Sequence, residues 1–176
     1  MNNLRNPLSL QKKKDMEDKR SIERKVFDLL REKNLTFASA ESCTGGNIAH
    51  LITLIPGSSE VFRGGAVTYA TPTKTKVLGV PKKTIDRHTV VSREVVEAMA
   101  QGTRRLMEAD FGIATTGVAG PSGGTAQTPV GTVWIGLATP NGVVSQCCHF
   151  GKGRRKVISQ ATKEAYQMLY DALLSL

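Results

Sequence analysis

The residues of this chain most able to do chemistry collect in two glycine-rich segments, Glu41-Ser-Cys-Thr-Gly-Gly46 and Gly117-Val-Ala-Gly-Pro-Ser-Gly-Gly124. Each follows a short apolar strand, and the first runs directly into a helical pattern. Backbone N–H groups at a helix start suit an anion or the oxyanion of an acyl-transfer intermediate. Hydroxyls at Ser42, Thr44, Thr115 and Thr116 stand beside them. On spacing alone Ser42 has two readings: an N-cap of the following helix, or a nucleophile exposed at the turn and assisted by the positive helix end. A serine nucleophile needs a base. His50, His88 and His149 are dispersed, whereas Lys74 and Lys76 follow the second strand closely enough to reach the same end of a sheet. A lysine held partly desolvated serves as a base; on a solvated helix face it does not.

Two common site types are absent from the sequence. Neither segment has the Gly-x-x-x-x-Gly-Lys-Ser/Thr or the Gly-x-Gly-x-x-Gly form, which removes the main support for a kinase or a dehydrogenase. The cysteines are Cys43, Cys147 and Cys148. An odd number with an adjacent pair does not make a disulfide framework, because neighbours on a strand point to opposite faces, and a reducing cytoplasm fits best. With no Cys-x-x-Cys pair and no histidine at helix spacing from another ligand, no built-in metal and no cofactor are expected.

The elements that must position these residues follow from periodicity. Ser21 caps a helix carrying Ile22, Val26, Leu29 and Leu30, with Asn34 near its stop. Leu35 to Ala40 reads as a strand, 41–46 as a tight turn, and Ile48 to Ile55 as a helix ended by Pro56-Gly57. A second strand is expected over 64–70, a short helix over Pro72 to Leu78, and a strongly amphipathic helix from Ser92 to just before Asp110. Ile113 to Thr116 is the third strand. Pro140-Asn141-Gly142 joins strands at 133–139 and 143–150 into a hairpin, and a last helix covers about 155–174. This order predicts a single-domain α/β fold, a three-layer αβα sandwich with a mixed sheet. Ligands in such folds collect beyond the strand ends.

Length and charge agree with one domain and a tail. The 176 residues are 40% hydrophobic, which excludes global disorder, and their net charge is +9. Residues 1–25 carry eight basic and four acidic side chains, so +4 of that excess sits at the amino end and +5 is spread over the rest. Residues 1–20 read as a polar tail, without the apolar run of a secretory signal, and residues 21–176 as the domain. Nothing resembles a membrane span. Only 9 of the 176 residues are aromatic and none interleaves with basic residues, so no specific nucleic-acid partner is expected.

Five motifs say more than their spacings. Ala40-Glu-Ser-Cys-Thr-Gly-Gly46, Pro56-Gly-Ser-Ser59, Tyr69-x4-Lys74-x3-Leu-Gly-Val80, Thr116-Gly-Val-Ala-Gly-Pro121 and Pro129-Val-Gly-Thr-Val133 occur in one family's order. Over residues 21–175 the chain resembles the C-terminal domain of the competence/damage-inducible CinA proteins, whose stand-alone form is a nicotinamide-nucleotide amidohydrolase. The resemblance implies metal-free hydrolysis of the carboxamide of nicotinamide mononucleotide to nicotinate mononucleotide and ammonia. It assigns Ser42 as nucleophile and Lys74 as general base, with Tyr69 and Thr116 in the same pocket. Thr44, Gly45, Gly46 and Gly117 would hold the substrate, and Arg154 its phosphate. A catalytically inactive nucleotide-binding or regulatory relative is the alternative. A homodimer or higher homo-oligomer is expected by analogy with other one-domain metabolic enzymes. The chain departs from the family at Thr89-Val90-Val91-Ser92, where Gly-Ala-Val-Ser is common. It also has Thr128 in place of a lysine, and Lys152-Gly153-Arg154 in place of Gly-Asp-Arg.

Overall fold

In the computed structural model, which describes residues 20–176, five strands form one mixed sheet between two helical layers. In chain order the elements are α1 (Ile22–Lys33), β1 (Phe37–Glu41), α2 (Asn47–Thr53), a 3-10 turn (Ser58–Glu60), β2 (Phe62–Val67), α3 (Thr71–Leu78), α4 (Lys82–His88), α5 (Arg93–Leu106), β3 (Phe111–Gly117), β4 (Thr132–Thr139), β5 (Gly142–His149) and α6 (Arg154–Leu174). The sheet order is β2-β1-β3-β4-β5. β1 runs parallel to β2 and β3, and β4 and β5 add antiparallel pairs. The predicted αβα sandwich is therefore present. The polar-tail reading at 1–19 lies outside the described residues; Arg20, assigned to that tail, pairs with Asp28 on α1.

The sequence alternates within strands, but between large and small side chains rather than apolar and polar. Phe37-Ala-Ser-Ala40, Phe111-Gly-Ile-Ala114 and Ile135-Gly-Leu-Ala138 are buried throughout, as expected where both sheet faces are covered. The large members Phe37, Phe111, Ile113, Ile135 and Leu137 pack with α1, α2 and α6. The small members Ala40, Ala114 and Ala138 face Val95, Val96, Met99 and Ala100 of α5. That row of small residues lets α5 lie close on the sheet. A Cβ at Gly112 would stand 2.2 Å from the Ala100 carbonyl oxygen, so no side chain fits there.

Element bounds shift by up to three residues, as where the third strand begins at Phe111 and the helix from Arg93 ends at Leu106, and two differences go further. β2 runs from Phe62 to Val67 and stops short of Ala70, because Thr68 leaves the ladder to begin the approach to α3. Helix α4 is not foreshadowed at all: its only large apolar residue, Ile85, gives no period, and packing of that residue against the α5-side core supports it. No helix among the described residues is long and apolar enough to cross a membrane.

Between α4 and α5 the backbone is strained. Thr89 has φ 67° and ψ 164°, a region that is essentially glycine-only. It is held there by its N–H donated to the Ile85 carbonyl at 2.9 Å and by its own carbonyl, which accepts the Ser92 hydroxyl at 2.9 Å. Relief of a strain of about 1–3 kcal/mol outweighs the extra chain entropy of glycine. Thr89→Gly is therefore expected to stabilise the domain by about 1 kcal/mol, read as a rise of about 2–4 °C in thermal midpoint.

Candidate active site

The sheet has a topological switch at β1, whose connection to β2 passes through α2 on one face while the connection from β2 to β3 passes through α3, α4 and α5 on the other. A crevice opens beyond the carboxyl ends of such strands. Ser42 sits in it. Its N–H donates to the Thr115 carbonyl on β3 at 3.1 Å, and the Thr68 N–H, after β2, donates to the Glu41 carbonyl at 2.8 Å. Ser42 is thus clasped between the two flanking strand ends. It is not a helix cap: α2 begins at Asn47, and the N-cap position belongs to Gly46 at φ 98°.

The amino end of α2 is closed by a residue that the sequence reading passed over. The Glu41 side chain is 1% exposed. Its carboxylate accepts from the Thr44 hydroxyl at 2.7 Å and from the N–H groups of Gly46 at 3.0 Å, Ile48 at 3.0 Å and Ala49 at 2.9 Å. A carboxylate at a helix N-terminus is favoured by both the free N–H groups and the helix dipole. The far side of α2 is anchored to α6, where Tyr166 donates to the Ile48 carbonyl at 2.5 Å and Asn47 to the Thr162 hydroxyl at 2.9 Å. The available signal was an acidic residue at a strand end just before a glycine turn and a helix.

Opposite Ser42 lies Lys74, in the first turn and a half of α3. Its side chain is 0% exposed, and Nζ lies 3.0 Å from Ser42 Oγ and 2.6 Å from the Thr68 carbonyl oxygen. Neither partner is an anion. Burial lowers its pKa to about 8, against a smaller opposing effect of Cys43. The alternative base, Lys76, is on the exposed side of α3. Cys43, next to Ser42 and also at the cavity, has its thiol pushed up to about 12 by burial, which leaves negligible thiolate at neutral pH. Of the two neighbouring side chains, it is the serine hydroxyl that has the buried amine within hydrogen-bond distance.

The cavity over this pair has a volume of about 290 Å³ and is walled by Tyr69, Thr116, Gly117 and Arg154 as well as Val90 and Val91. Thr116 donates to the Val90 carbonyl at 2.8 Å, tying the end of β3 to the strained segment before α5. Arg154 opens α6 and bridges two loops: Nη1 donates to the Gly120 carbonyl at 2.8 Å and Nη2 to the Tyr69 hydroxyl at 2.6 Å. Val118, Ala119, Ser122 and Gly123 extend the wall along the second glycine-rich segment.

Thr44, Gly45 and Gly46 stand elsewhere. None of them walls the cavity; Thr44 and Gly46 donate to Glu41, and the Gly45 N–H donates to the Ser42 carbonyl at 3.1 Å. In the geometry these three residues shape the turn, with the Thr44 hydroxyl and the Gly45 and Gly46 N–H groups already bonded within it. The family departures at Thr128 and Lys152 also lie off the cavity wall, although their loops touch where the Phe150 N–H donates to the Gly131 carbonyl at 2.9 Å.

Removing the Glu41 carboxylate leaves several buried donors without an acceptor. Glu41→Ala is expected to lower the unfolding free energy by about 3 kcal/mol, and Glu41→Gln by less, as urea midpoints would measure.

Comparison with known proteins identifies the family. The sequence model of the CinA C-terminal domain matches residues 19–173. A CinA-like protein of Flavobacterium psychrophilum is 44% identical over 183 residues, spanning 98% of this chain and 44% of its own length. A Shewanella oneidensis protein named nicotinamide-nucleotide amidohydrolase PncC is 44% identical over 160 residues, spanning 90% of this chain and 38% of its own length. The chain therefore spans less than half the length of these relatives. Among solved structures, the competence/damage inducible protein CihA of Agrobacterium tumefaciens has a TM-score of 0.84 at 37% identity, covering 90% of this chain and 95% of that one. A CinA superfamily protein of Klebsiella pneumoniae has a TM-score of 0.85 at 32% identity, covering 88% and 97%. With the match running through β1, α3, the β3 loop and the start of α6, the chain belongs to the CinA C-terminal domain family.

Proposed function

We propose that this chain is a nicotinamide-nucleotide amidohydrolase that releases ammonia from nicotinamide mononucleotide through a Ser42 nucleophile and a Lys74 base, without a metal. The observation that carries the reading is the 3.0 Å approach of a buried amine to a serine hydroxyl at the floor of the cavity. The PncC relative supports the choice of amide. In the first step neutral Lys74 takes the Ser42 proton as Oγ attacks the carboxamide carbon. The Thr68 carbonyl, already accepting from Nζ, holds the amine in line. The carbonyl oxygen becomes an oxyanion, for which the backbone N–H of Cys43, next to the serine and at the cavity, is the proposed donor. Lys74 then returns its proton to the departing ammonia, and water resolves the acyl-enzyme by the same route reversed. Tyr69 and Thr116 frame the ring-binding part of the cavity.

The phosphate reading for Arg154 has its own physical support. The first turn of α6 contains Arg154, Arg155 and Lys156 and no acidic residue. Cations at a helix N-terminus are unfavourable unless an anion is bound there. A mononucleotide phosphate supplies it. Three unpaired cysteines suit a reducing cytoplasm, and a homodimer remains the proposed assembly.

With a pKa near 8, about one Lys74 in ten is neutral at pH 7, against about three in ten thousand at 10.5. Ammonia release per enzyme is expected to climb almost tenfold per pH unit below about 8 and to level off above it, and Ser42→Ala should lower it by at least about 10³-fold. A flat profile, or full turnover by Ser42→Ala, would remove the dyad from the mechanism. For Arg154→Ala, the preference for nicotinamide mononucleotide over nicotinamide riboside is expected to fall by about tenfold or more, through KM. Equal losses on both substrates would reassign Arg154 to holding the loops together.

A further inference from the structure

On the sheet face away from α6, near the end of β5, a thiol and an imidazole stand together outside the cavity. Cys147 and His149 are two residues apart on an edge strand, so both side chains leave the same face, and both are exposed. Cys147 Sγ lies 3.9 Å from His149 Nε2, at the outer limit for a direct S–H···N hydrogen bond. Two ligands on one tetrahedral zinc, with bonds of about 2.3 Å to sulfur and 2.0–2.1 Å to nitrogen, stand about 3.6 Å apart. The pair is therefore already spaced to chelate one ion.

The other ring nitrogen is held as metal-bound histidines usually are. His149 Nδ1 is 3.2 Å from the hydroxyl of Thr132, its cross-strand partner on β4 and only 4% exposed. With the proton on Nδ1 and donated to Thr132, the Nε2 lone pair faces the thiol, the tautomer a metal needs. Cys148 takes no part: it points to the opposite face and packs against the α6-side core. Among the described residues no cluster of three or more His, Cys, Asp or Glu is arranged for a metal, so protein groups fill only two positions and solvent the others. A search for helix spacing passes over this pair because its spacing is that of a strand.

We propose that Cys147 and His149, oriented by Thr132, form a two-point site for a zinc-class divalent cation. On binding, Cys147 loses its thiol proton to solvent and forms the metal–sulfur bond, while neutral His149 donates through Nε2. The ion is borderline-soft, matching a thiolate and an imidazole rather than carboxylate oxygens.

The chain contains one tryptophan, and it reports on this site: Trp134 on β4 is the cross-strand partner of Cys147. Cobalt(II) titrated into the untagged, reduced full chain is expected to quench Trp134 emission saturably at one equivalent. A thiolate-to-cobalt charge-transfer band should rise in the near ultraviolet, and zinc should displace both signals. Cys147→Ser and His149→Gln should each weaken binding by at least about tenfold, the first also abolishing the band. Thr132→Val should weaken it by about tenfold or more. Cys148→Ser should bind as the parent does. No saturable binding, a charge-transfer band that survives in Cys147→Ser, or loss of binding in Cys148→Ser instead would overturn the site.

Discussion

The buried amine of Lys74 is the constraint around which the cavity end of the sheet is arranged. Neither of its hydrogen-bond partners is an anion, so withdrawal from water favours the neutral form and brings its pKa down to about 8. An amine in that state needs an acceptor for its remaining hydrogens, and the Thr68 carbonyl is that acceptor. This is why β2 ends at Val67: Thr68 must turn its carbonyl toward Lys74 while keeping its N–H on Glu41. α3 must then start within a few residues for Lys74 to reach back over the strand end. The strand boundary, the short loop and the helix start are one geometric solution.

Glu41 sets the other side of the site. A glycine turn between a strand and a helix invites the view that the helix end faces the ligand. Here the strand's own last residue takes that position, its carboxylate satisfying the N–H groups of Gly46, Ile48 and Ala49. The positive end of α2 is neutralised inside the protein, and Ser42 is freed from capping. Attraction for an anion passes to α6, whose first turn is basic and uncapped by any acidic side chain. Two helix starts thus divide the work: one fixes the Ser42 turn, and the other suits the phosphate proposed for it.

Both depend on how close the layers lie. The alternation of large and small residues along β1, β3 and β4 places bulk under α1, α2 and α6 and leaves alanine and glycine under α5. α5 can then approach the sheet closely enough for the Thr89–Val91 segment to close the cavity, with Val90 bonded to Thr116. The strained backbone at Thr89 is a local consequence of bringing α4 and α5 together over that wall.

Much of this was legible in the sequence. Periodicity located α1, α5, α6 and the hairpin, and their order led to the sandwich, because long amphipathic patterns and an Asn-Gly turn are local signals. Ser42 and Lys74 were marked by residue type and motif, but not decided: an N-cap serine and a nucleophilic serine have the same neighbours in sequence. So do Lys74 and Lys76, two residues apart, one buried against Ser42 and one in water. Helix α4, the end of β2, the capping by Glu41 and the pairing of Cys147 with His149 were out of reach, since each depends on a partner brought in from elsewhere or on which face a side chain takes. The chain's own pattern determined which elements form, the order in which they pack and which residue types reach the strand ends. Only the tertiary structure decided which lysine loses its water and which donors are left for a ligand, because desolvation and hydrogen-bond competition belong to the assembled layers, not to any segment alone.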